Sequence, residues 1–319
     1  YTRDEQAQYK TDVENQIINL TKQEPFKSYR NYFAFNRIDK ISENSGVKQN
    51  SSEKKNTAFD MYYNCAGIDR LLCIDTDKVT AALTGYENFD LILALANSEK
   101  YGGAGYLAPS IATLAARNAT STELALHEIG HSFANLSDEY EAAGISTDCD
   151  HFENSSALNA QEMLTQKARW FRWLDLPHIG AFRGSCYSQN FFRPTEISKM
   201  RALNHPYDEV NVEQIIKRIY EKVTPIDSFE KTETADGNLA LRIRVMSQLE
   251  TPLIVKWSID GEPIAQFDGQ IKIHTDELNL TSGPHTIKVE VSDVTPRVRD
   301  EEFKKNKMTQ SLQWAFKVN

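Results

Sequence analysis

The chain has 319 residues, of which 40% are hydrophobic and 25% are charged. This composition is ordinary for a folded globular protein, and the length is sufficient for two domains. The formal net charge of −9 disfavours nucleic acid or an anionic membrane as a partner, because both attract basic surfaces. No apolar run of about 18 residues occurs, so we expect no transmembrane segment.

The first two thirds of the chain mix helical and strand patterns. Residues 3–22 look helical and mostly polar, and residues 208–223 have the pattern of a second helix. Short strands are predicted at FAFNRID (33–39), AFDMYY (58–63), RLLCID (70–75), DLILALAN (90–97) and SIATLAAR (110–117). The DLILALAN run is continuously apolar, as expected for a buried central strand. This part therefore predicts an α/β (α+β) domain with a mixed sheet over residues 1–224.

The character of the sequence changes after Pro225. LALRIRV, LIVKWSIDGEPIAQF, IKIHTD, HTIKVEVSD and LQWAFKV alternate apolar and polar residues, which is typical of half-buried strands. Asp260-Gly261 in the second of these segments is a strong hairpin signal. We therefore predict an all-β, immunoglobulin-like sandwich over residues 225–319.

The four cysteines bear on where the protein matures. No CxxC pair occurs, and we favour the disulfides Cys65–Cys73 and Cys149–Cys186 over four buried thiols. Two disulfides indicate an exported protein (secreted, periplasmic or at the cell surface) whose signal was removed before this numbering starts. One Asn-x-Ser/Thr triplet begins at Asn135, within the motif described next, where a glycan would crowd the site. A bacterial source is therefore favoured.

The residues Leu124–Tyr140 read LALHEIGHSFANLSDEY. His127 and His131 lie four residues apart, so both imidazoles can face one metal ion from one side of a helix. Glu128 is then close enough to reach a metal-activated water without being a ligand. This is the HExxH arrangement of zinc peptidases. The alternative is a helix with one surface histidine and one core histidine.

The sequence before the motif also contains a helix-start pattern. Thr120 and Glu123 form a T-x-x-E sequence, which predicts a capping box at this end of the helix. Leu124, Ile129 and Phe133 have the spacing of a face that packs against the core.

A catalytic zinc needs a third protein ligand and one open position. In the metzincin group of zinc peptidases the pattern continues HxxGxxH/D, but Ala134 and Ser137 occupy those positions here. One residue further on, Asn135 tolerates a left-handed backbone, and Asp138 follows at the required offset. We therefore predict that the helix ends at Asn135 and that Asp138 is the third ligand.

Two other acidic residues remain candidates for this ligand. Glu139 is adjacent to Asp138, and Glu162 lies in the helical ALNAQEML sequence. In a further alternative, Asp138 and Glu139 are a solvated acidic pair with no ligand role.

The motif HEIGHSFANLSDEY resembles the HExxHxxxxLxDEY motif of the bacterial immunoglobulin-A metallopeptidase family. The similarity extends to PFKSYRNYFAFNRIDKISENSG, RLLCID, LALANSEKYGGAG and FFRPTEISKMRAL, and so spans most of residues 20–222. It implies a metzincin-like fold and a zinc endopeptidase, with Met200 beneath the metal. It does not imply cleavage of immunoglobulin A, because fold does not determine substrate.

These observations predict a zinc-dependent endopeptidase with one catalytic Zn²⁺ and Glu128 as the general base. We expect a protein or peptide substrate in a groove bordered by Gly102, Gly103 and Tyr140. Tyr140 is also a candidate for stabilising the oxyanion, together with Tyr187 and Arg193. The C-terminal module would contact a cell surface, carbohydrate or protein.

Two interpretations from other classes compete with the enzyme. The first is a non-catalytic surface binding protein with a decayed peptidase domain, and the second is a purely structural surface protein. The intact HExxH residues weigh against both.

Overall fold

The computed structural model describes residues 1–86, 89–141 and 149–319. The chain divides into two compact units. Unit 1 comprises Tyr1–Lys27 and Phe35–Ile215, and unit 2 comprises Ser28–Ala34 and Ile216–Asn319. Unit 2 therefore includes a short segment from the N-terminal part of the chain in addition to the C-terminal strands.

Unit 1 contains helices and short strands. Its helices are α1 (Gln6–Leu20), α2 (Thr76–Ala82), α3 (Ser121–Ser132), α4 (Ala160–Gln166) and the first half of α5 (Glu209–Tyr220). Its strands are β1 (Ile92–Ala96), β2 (Gly103–Tyr106), β3 (Ile111–Ala115), β4 (Phe182–Ser185) and β5 (Ser188–Arg193). The predicted helices at 3–22 and 208–223 and the strands at 90–97 and 110–117 are confirmed.

The sheet next to the motif helix has the order β1-β3-β2. β1 and β3 are parallel, and β2 is antiparallel to β3 with Gly103 opposite Leu114. Every residue of β3 is buried, and β3 is the central strand of this sheet. The prediction that DLILALAN is the buried central strand is wrong, because β1 lies at an edge of the sheet and three of its five residues are only partly buried. β2 lies at the edge of the sheet, and α3 packs against both β2 and β3.

Three of the predicted strands are wrong. Residues 33–39 form no strand, and most of them are exposed. Residues 58–63 and 70–75 form only isolated bridges, including Tyr62 with Cys73. The left-handed residues Asn64 and Ala66 turn the chain tightly between them. Propensity alone overestimated strand content in this region.

Unit 2 consists mainly of two antiparallel sheets, with orders β10-β7-β6 and β12-β11-β8-β9. The strands are β6 (Ile226–Glu233), β7 (Leu239–Val245), β8 (Ile254–Ile259), β9 (Glu262–Pro263), β10 (Lys272–His274), β11 (Gly283–Ser292) and β12 (Thr309–Val318). A short helix, α6 (Glu301–Lys307), lies between β11 and β12 in the sequence. Strands of both sheets contribute to one core that includes Leu241, Trp257 and Val289.

The hairpin predicted at Asp260-Gly261 is confirmed, and it joins β8 to β9. Both residues have positive φ angles, of 51° and 92°, as a two-residue hairpin of this type requires.

A buried group of phenols attaches the N-terminal segment of unit 2. The hydroxyls of Tyr29 and Tyr220 each donate a hydrogen bond to Oδ2 of Asp293 at 2.8 Å. The hydroxyls of Tyr32 and Tyr220 are 2.9 Å apart. Asp293 is 1% exposed, so these donors compensate for a carboxylate that has lost its hydration.

Candidate metal centre

Helix α3 carries the HExxH sequence and is buried along most of its length. Leu124, Ile129 and Phe133 are all less than 8% exposed, as the apolar spacing predicts. Leu126 and Ala125 are equally buried, so the helix is enclosed on more than one side. His127 and Glu128 therefore lie in surroundings from which water is largely excluded.

The predicted capping box of α3 is wrong. The side chain of Thr120 makes no capping hydrogen bond, and its hydroxyl donates to Asn118 instead. The carboxylate of Glu123 forms an ion pair with Lys199 at 2.5 Å. Lys199 is 1% exposed, and a buried ammonium group needs a counter-charge more than the helix end needs a cap.

The two histidines are oriented by backbone carbonyls. Nδ1 of His127 lies 3.0 Å from the carbonyl oxygen of Lys199, and Nδ1 of His131 lies 2.7 Å from that of Leu136. Each Nδ1–H donates to its carbonyl, so each Nε2 carries a lone pair. The two Nε2 atoms are 3.1 Å apart.

The chain reverses direction directly after α3. Asn135 has a φ of +52°, the left-handed conformation predicted for it. Its amide donates to the carbonyl of His131 at 3.2 Å, and the amide of Leu136 donates to that of Gly130 at 2.9 Å. This turn directs the following residues back towards the histidines.

Asp138 lies at the end of this turn, and its side chain faces both imidazoles. Its Oδ1 is 3.0 Å from Nε2 of His127 and 3.4 Å from Nε2 of His131. The ligand atoms of these three residues all lie within 4.8 Å of one another. Asp138 is 6% exposed, so the proposed alternative of a solvated acidic pair does not describe it.

The donor set fits a metal ion. Oδ1 of Asp138 is buried and has no hydrogen-bond donor among the described residues, although it touches both Nε2 atoms. Those contacts bring lone pairs together, because the ring protons are on the Nδ1 atoms. A cation between the three atoms resolves this repulsion, and two imidazoles with one carboxylate suit zinc.

The same geometry shifts two pKa values. Burial alone would raise the pKa of Asp138, but the positive charge of His131 and the close Nε2–Oδ1 contacts with both histidines hold it well below its usual range. Burial alone would lower the pKa of His131, but Asp138 and Glu128 outweigh it and raise this pKa to about 9. Without a metal, a proton on His131 takes the place of the cation.

Glu128 lies beside this group and is 4% exposed. Burial raises its pKa, and the neighbouring histidines only partly oppose this shift. The edge strand β2 passes close to Glu128: a Cβ built on Gly105 would lie 2.9 Å from the Glu128 carbonyl oxygen and 3.2 Å from Oε2. Glycine at this position therefore lets the strand approach the acid.

Met200 lies against α3 where the helix also has a glycine. A Cβ built on Gly130 would lie 2.5 Å from Sδ of Met200, which is fully buried. The carbonyl of Met200 accepts from the amide of Glu139 at 2.9 Å, and that of the preceding residue, Lys199, orients His127. The turn containing Met200 thus contacts the helix, the first histidine and the loop with Asp138.

The two other candidate ligands are occupied elsewhere. Oε1 of Glu139 accepts from Asn154 at 2.9 Å and from Asn211 at 3.0 Å, and its Oε2 accepts from Ser198 at 2.5 Å. Glu139 is fully buried in this arrangement, and burial raises its pKa. Glu162 completes a capping box with Asn159 at the start of α4.

The hydroxyl of Tyr187 donates to Oδ2 of Asp138. Tyr187 and Cys186 both have positive φ angles, of 62° and 51°, which is uncommon for residues other than glycine. The amide of Cys186 donates to the carbonyl of Asp138 at 2.7 Å, and that of Tyr187 donates to Tyr140 at 3.0 Å. These contacts hold the tyrosine in position against the carboxylate.

Both predicted disulfides are present. The Cys65–Cys73 bond closes the 65–73 loop, and the Cys149–Cys186 bond ties residue 149 to the chain segment that precedes Tyr187. The second bond therefore supports the segment that positions Asp138.

The remaining predicted site residues lie around this centre. Arg193 donates to the backbone carbonyls of Gly184 and Glu196, which leaves it in a structural role. Gly102 and Gly103 are buried. Tyr140 is half-buried, and its ring centroid is 5.3 Å from that of Tyr187.

Sequence reasoning missed several of the residues that orient the site. The carbonyl groups of Lys199 and Leu136 carry no sequence signal, because any residue supplies a carbonyl. Asn154, which donates to the carbonyl of Ser137 and the carboxylate of Glu139, lies outside the motif in the sequence. Gly105 is the one of these residues that the sequence could have indicated, because it belongs to the glycine-rich YGGAG sequence.

Two histidines and a buried glutamate on a helix beside a mixed sheet, together with an aspartate from the turn after that helix, define a candidate metal centre of the hydrolase class. The family model described as IgA Peptidase M64 matches residues 1–178, which is more than half of the 319 residues. The chain belongs to this peptidase family, as its resemblance predicts. No match was found among curated proteins. No helix among the described residues is both long enough and apolar enough to cross a membrane.

Proposed function

We propose that the protein is a zinc-dependent endopeptidase whose catalytic domain spans residues 1–224. The observation that carries this proposal is the convergence of Nε2 of His127, Nε2 of His131 and Oδ1 of Asp138 beside Glu128. Three protein ligands leave one coordination position open, as in catalytic rather than structural zinc sites.

These three side chains would hold the zinc ion, and Met200 would shape the floor beneath it. A bound zinc ion would supply Lewis acidity, which makes a water molecule more acidic and a peptide carbonyl more electrophilic. The backbone carbonyls at Lys199 and Leu136 would keep both imidazoles in the tautomer that ligation requires.

Glu128 would act as the general base. Its carboxylate would accept the proton of the attacking water and then deliver it to the nitrogen of the leaving amine. Burial raises the pKa of Glu128 towards the range in which a carboxylate can both accept and return a proton near neutral pH.

The substrate would lie extended along the edge strand β2, as in strand addition. The backbone of Gly103 is already paired with the segment at Leu71 and Leu72. The edge open to a peptide would therefore begin at Gly105, next to Glu128. Gly102 and Gly103 would border the groove through their backbone, and Tyr140 would border it on another side.

Unit 2 would act as an accessory module. Its two antiparallel sheets with a shared core support an immunoglobulin-like sandwich over residues 225–319. We propose that it contacts a cell surface, carbohydrate or protein. The two disulfides are compatible with an exported protein, and we propose that it is exported from a bacterium.

The experiment compares Glu128→Gln with Glu162→Gln. Zinc content is measured by atomic absorption, and peptide cleavage is measured on a mixed library of fluorescence-quenched peptides. Glu128→Gln should keep one zinc per chain and lose at least about 100-fold in cleavage, which is the usual contribution of a general base. Glu162→Gln, which changes an acid of the α4 capping box, should retain both zinc and activity.

The outcomes separate the candidate functions. Full turnover by Glu128→Gln would rule out the proposed base. A zinc-loaded wild type that cleaves no peptide in the library would instead support the non-catalytic binding protein. Loss of zinc in Glu162→Gln would identify Glu162 as the third ligand.

A further inference from the structure

We propose that Arg70 forms a subsite that binds a carboxylate group of the peptide substrate. This inference rests on the proposed peptidase function and adds a substrate preference to it. Arg70 lies in the 65–73 loop, outside the HExxH helix and outside the residues that surround the proposed metal.

The position of Arg70 is set by the loop that carries it. The Cys65–Cys73 disulfide closes the loop, and Leu71 forms a bridge with Gly103 at the edge of β2. A Cβ built on Gly102 would lie 2.5 Å from the carbonyl oxygen of Arg70. The loop therefore packs closely on the chain that leads into β2, where the substrate is proposed to bind.

The guanidinium group of Arg70 has N–H donors available for a ligand. The acidic residue next to it, Asp69, is already paired with Lys100 at 2.7 Å. Among the residues that the structure describes, no carboxylate lies within ion-pair distance of Arg70. The hydrogen bond that its side chain makes within the described part of the chain is a long contact of 3.4 Å from Nη2 to the hydroxyl of Tyr140. A guanidinium has five N–H donors in a planar fork that matches a carboxylate.

Arg70 is also close to the candidate centre. The ring of Tyr140 packs on that of Tyr187, and the hydroxyl of Tyr187 binds Asp138. The positive charge of Arg70 is near enough to oppose, in part, the raised pKa of Glu128. Arg70 is therefore near the place where a peptide would approach Glu128.

The negative net charge of the chain makes a cation at the groove important for binding an acidic peptide. The chain has a formal net charge of −9. An acidic peptide would be repelled by this field unless a cation at the groove compensated for it. Arg70 is exposed, whereas a donor that stabilises an oxyanion acts best where water is excluded. This exposure favours contact with a substrate carboxylate over contact with the reacting carbonyl.

The experiment uses an acetylated and amidated decapeptide library with Glu, Gln or Lys at each position in turn. For the zinc-loaded wild type, kcat/KM should be about tenfold higher for Glu than for Gln at one position, or about 1.4 kcal/mol. Arg70→Gln should remove this preference, and Arg70→Glu should shift it towards Lys. Arg37→Gln, at an exposed arginine paired with Asp39, should retain it.

A second library with free C-termini identifies the source of the carboxylate. A preference confined to this library and lost in Arg70→Gln would assign the subsite to the chain terminus. Two results would overturn the inference: a uniform fall in kcat for all peptides in Arg70→Gln, which indicates contact with the oxyanion, or an unchanged preference.

A binding measurement keeps the inference testable if the wild type cleaves nothing. Fluorescence anisotropy of labelled Glu, Gln and Lys library pools is measured on Glu128→Gln, with and without Arg70→Gln. Tighter binding of the Glu pool that disappears in the double variant supports the subsite even if the proposed function fails. Equal binding of all pools overturns it.

Discussion

Tyr187→Phe tests how the carboxylate of Asp138 is held in place. The substitution keeps the ring and removes the hydroxyl that donates to Oδ2 of Asp138. Asp138 is 6% exposed, so water cannot readily replace the lost donor. A hydrogen bond to a charged group contributes about 1.5–3 kcal/mol, and loss of such a contact behind a metal ligand typically lowers affinity about 10–100-fold.

We therefore expect Tyr187→Phe to weaken zinc binding by about 10–100-fold. Zinc affinity is measured at constant pH by competition with a chromophoric chelator. Tyr9→Phe is the matched control, because the hydroxyl of Tyr9 donates to the carbonyl of Ile38 rather than to a site residue. This control should bind zinc as the wild type does.

An affinity of Tyr187→Phe within about threefold of the wild type would refute the reasoning, since a threefold change is well below 1.4 kcal/mol. It would mean that the carboxylate is held by the backbone turn alone. A loss in Tyr9→Phe of the same size would show that the measurement reports general destabilisation instead.

Three further predictions follow from the contacts around the centre. Gly130→Ala places a Cβ 2.5 Å from Sδ of Met200, so it should lower the free energy of unfolding by about 1–3 kcal/mol in urea titrations. The double variant Gly130→Ala/Met200→Ala should lose less free energy of unfolding than the sum of the losses in the two single variants. Strict additivity would contradict the contact. Gly105→Ala should reduce cleavage at least about tenfold while zinc is retained, because the new Cβ forces β2 away from the helix; unchanged kcat/KM would contradict this. In chelator-treated protein, the pKa of His131 is raised from 6.5 to about 9. The protonated imidazole therefore contributes fully to the free energy of unfolding below about pH 6.5, and this contribution is lost as the pH rises through about 9. Thermal unfolding across this range should show the loss in the wild type and not in Asp138→Asn, and parallel curves would contradict it.

The local features of the site were predictable because they depend on short-range rules. The i, i+4 spacing of His127 and His131 and the left-handed tolerance of Asn135 need only helix geometry and backbone sterics. Together they brought Asp138 to the histidines, as expected. The long-range supports were not predictable, because the spacing around Tyr187 and Asn154 gives no sign of what they touch.

The errors in the fold have a related cause. Thr120 and Glu123 have the sequence of a capping box, but Glu123 pairs with the distant and buried Lys199. Residues 33–39 have strand propensity but pair with no strand among the residues that the structure describes. In both cases a tertiary contact, or its absence, outweighs the local preference.

The most direct test of the central claim is the anomalous scattering of a zinc-loaded crystal at the zinc absorption edge. We predict one peak bound by Nε2 of His127, Nε2 of His131 and the Asp138 carboxylate at about 2.0–2.2 Å. A peak bound by Glu139 or Glu162 in place of Asp138, or an Asp138 side chain turned away from the ion, would contradict the account.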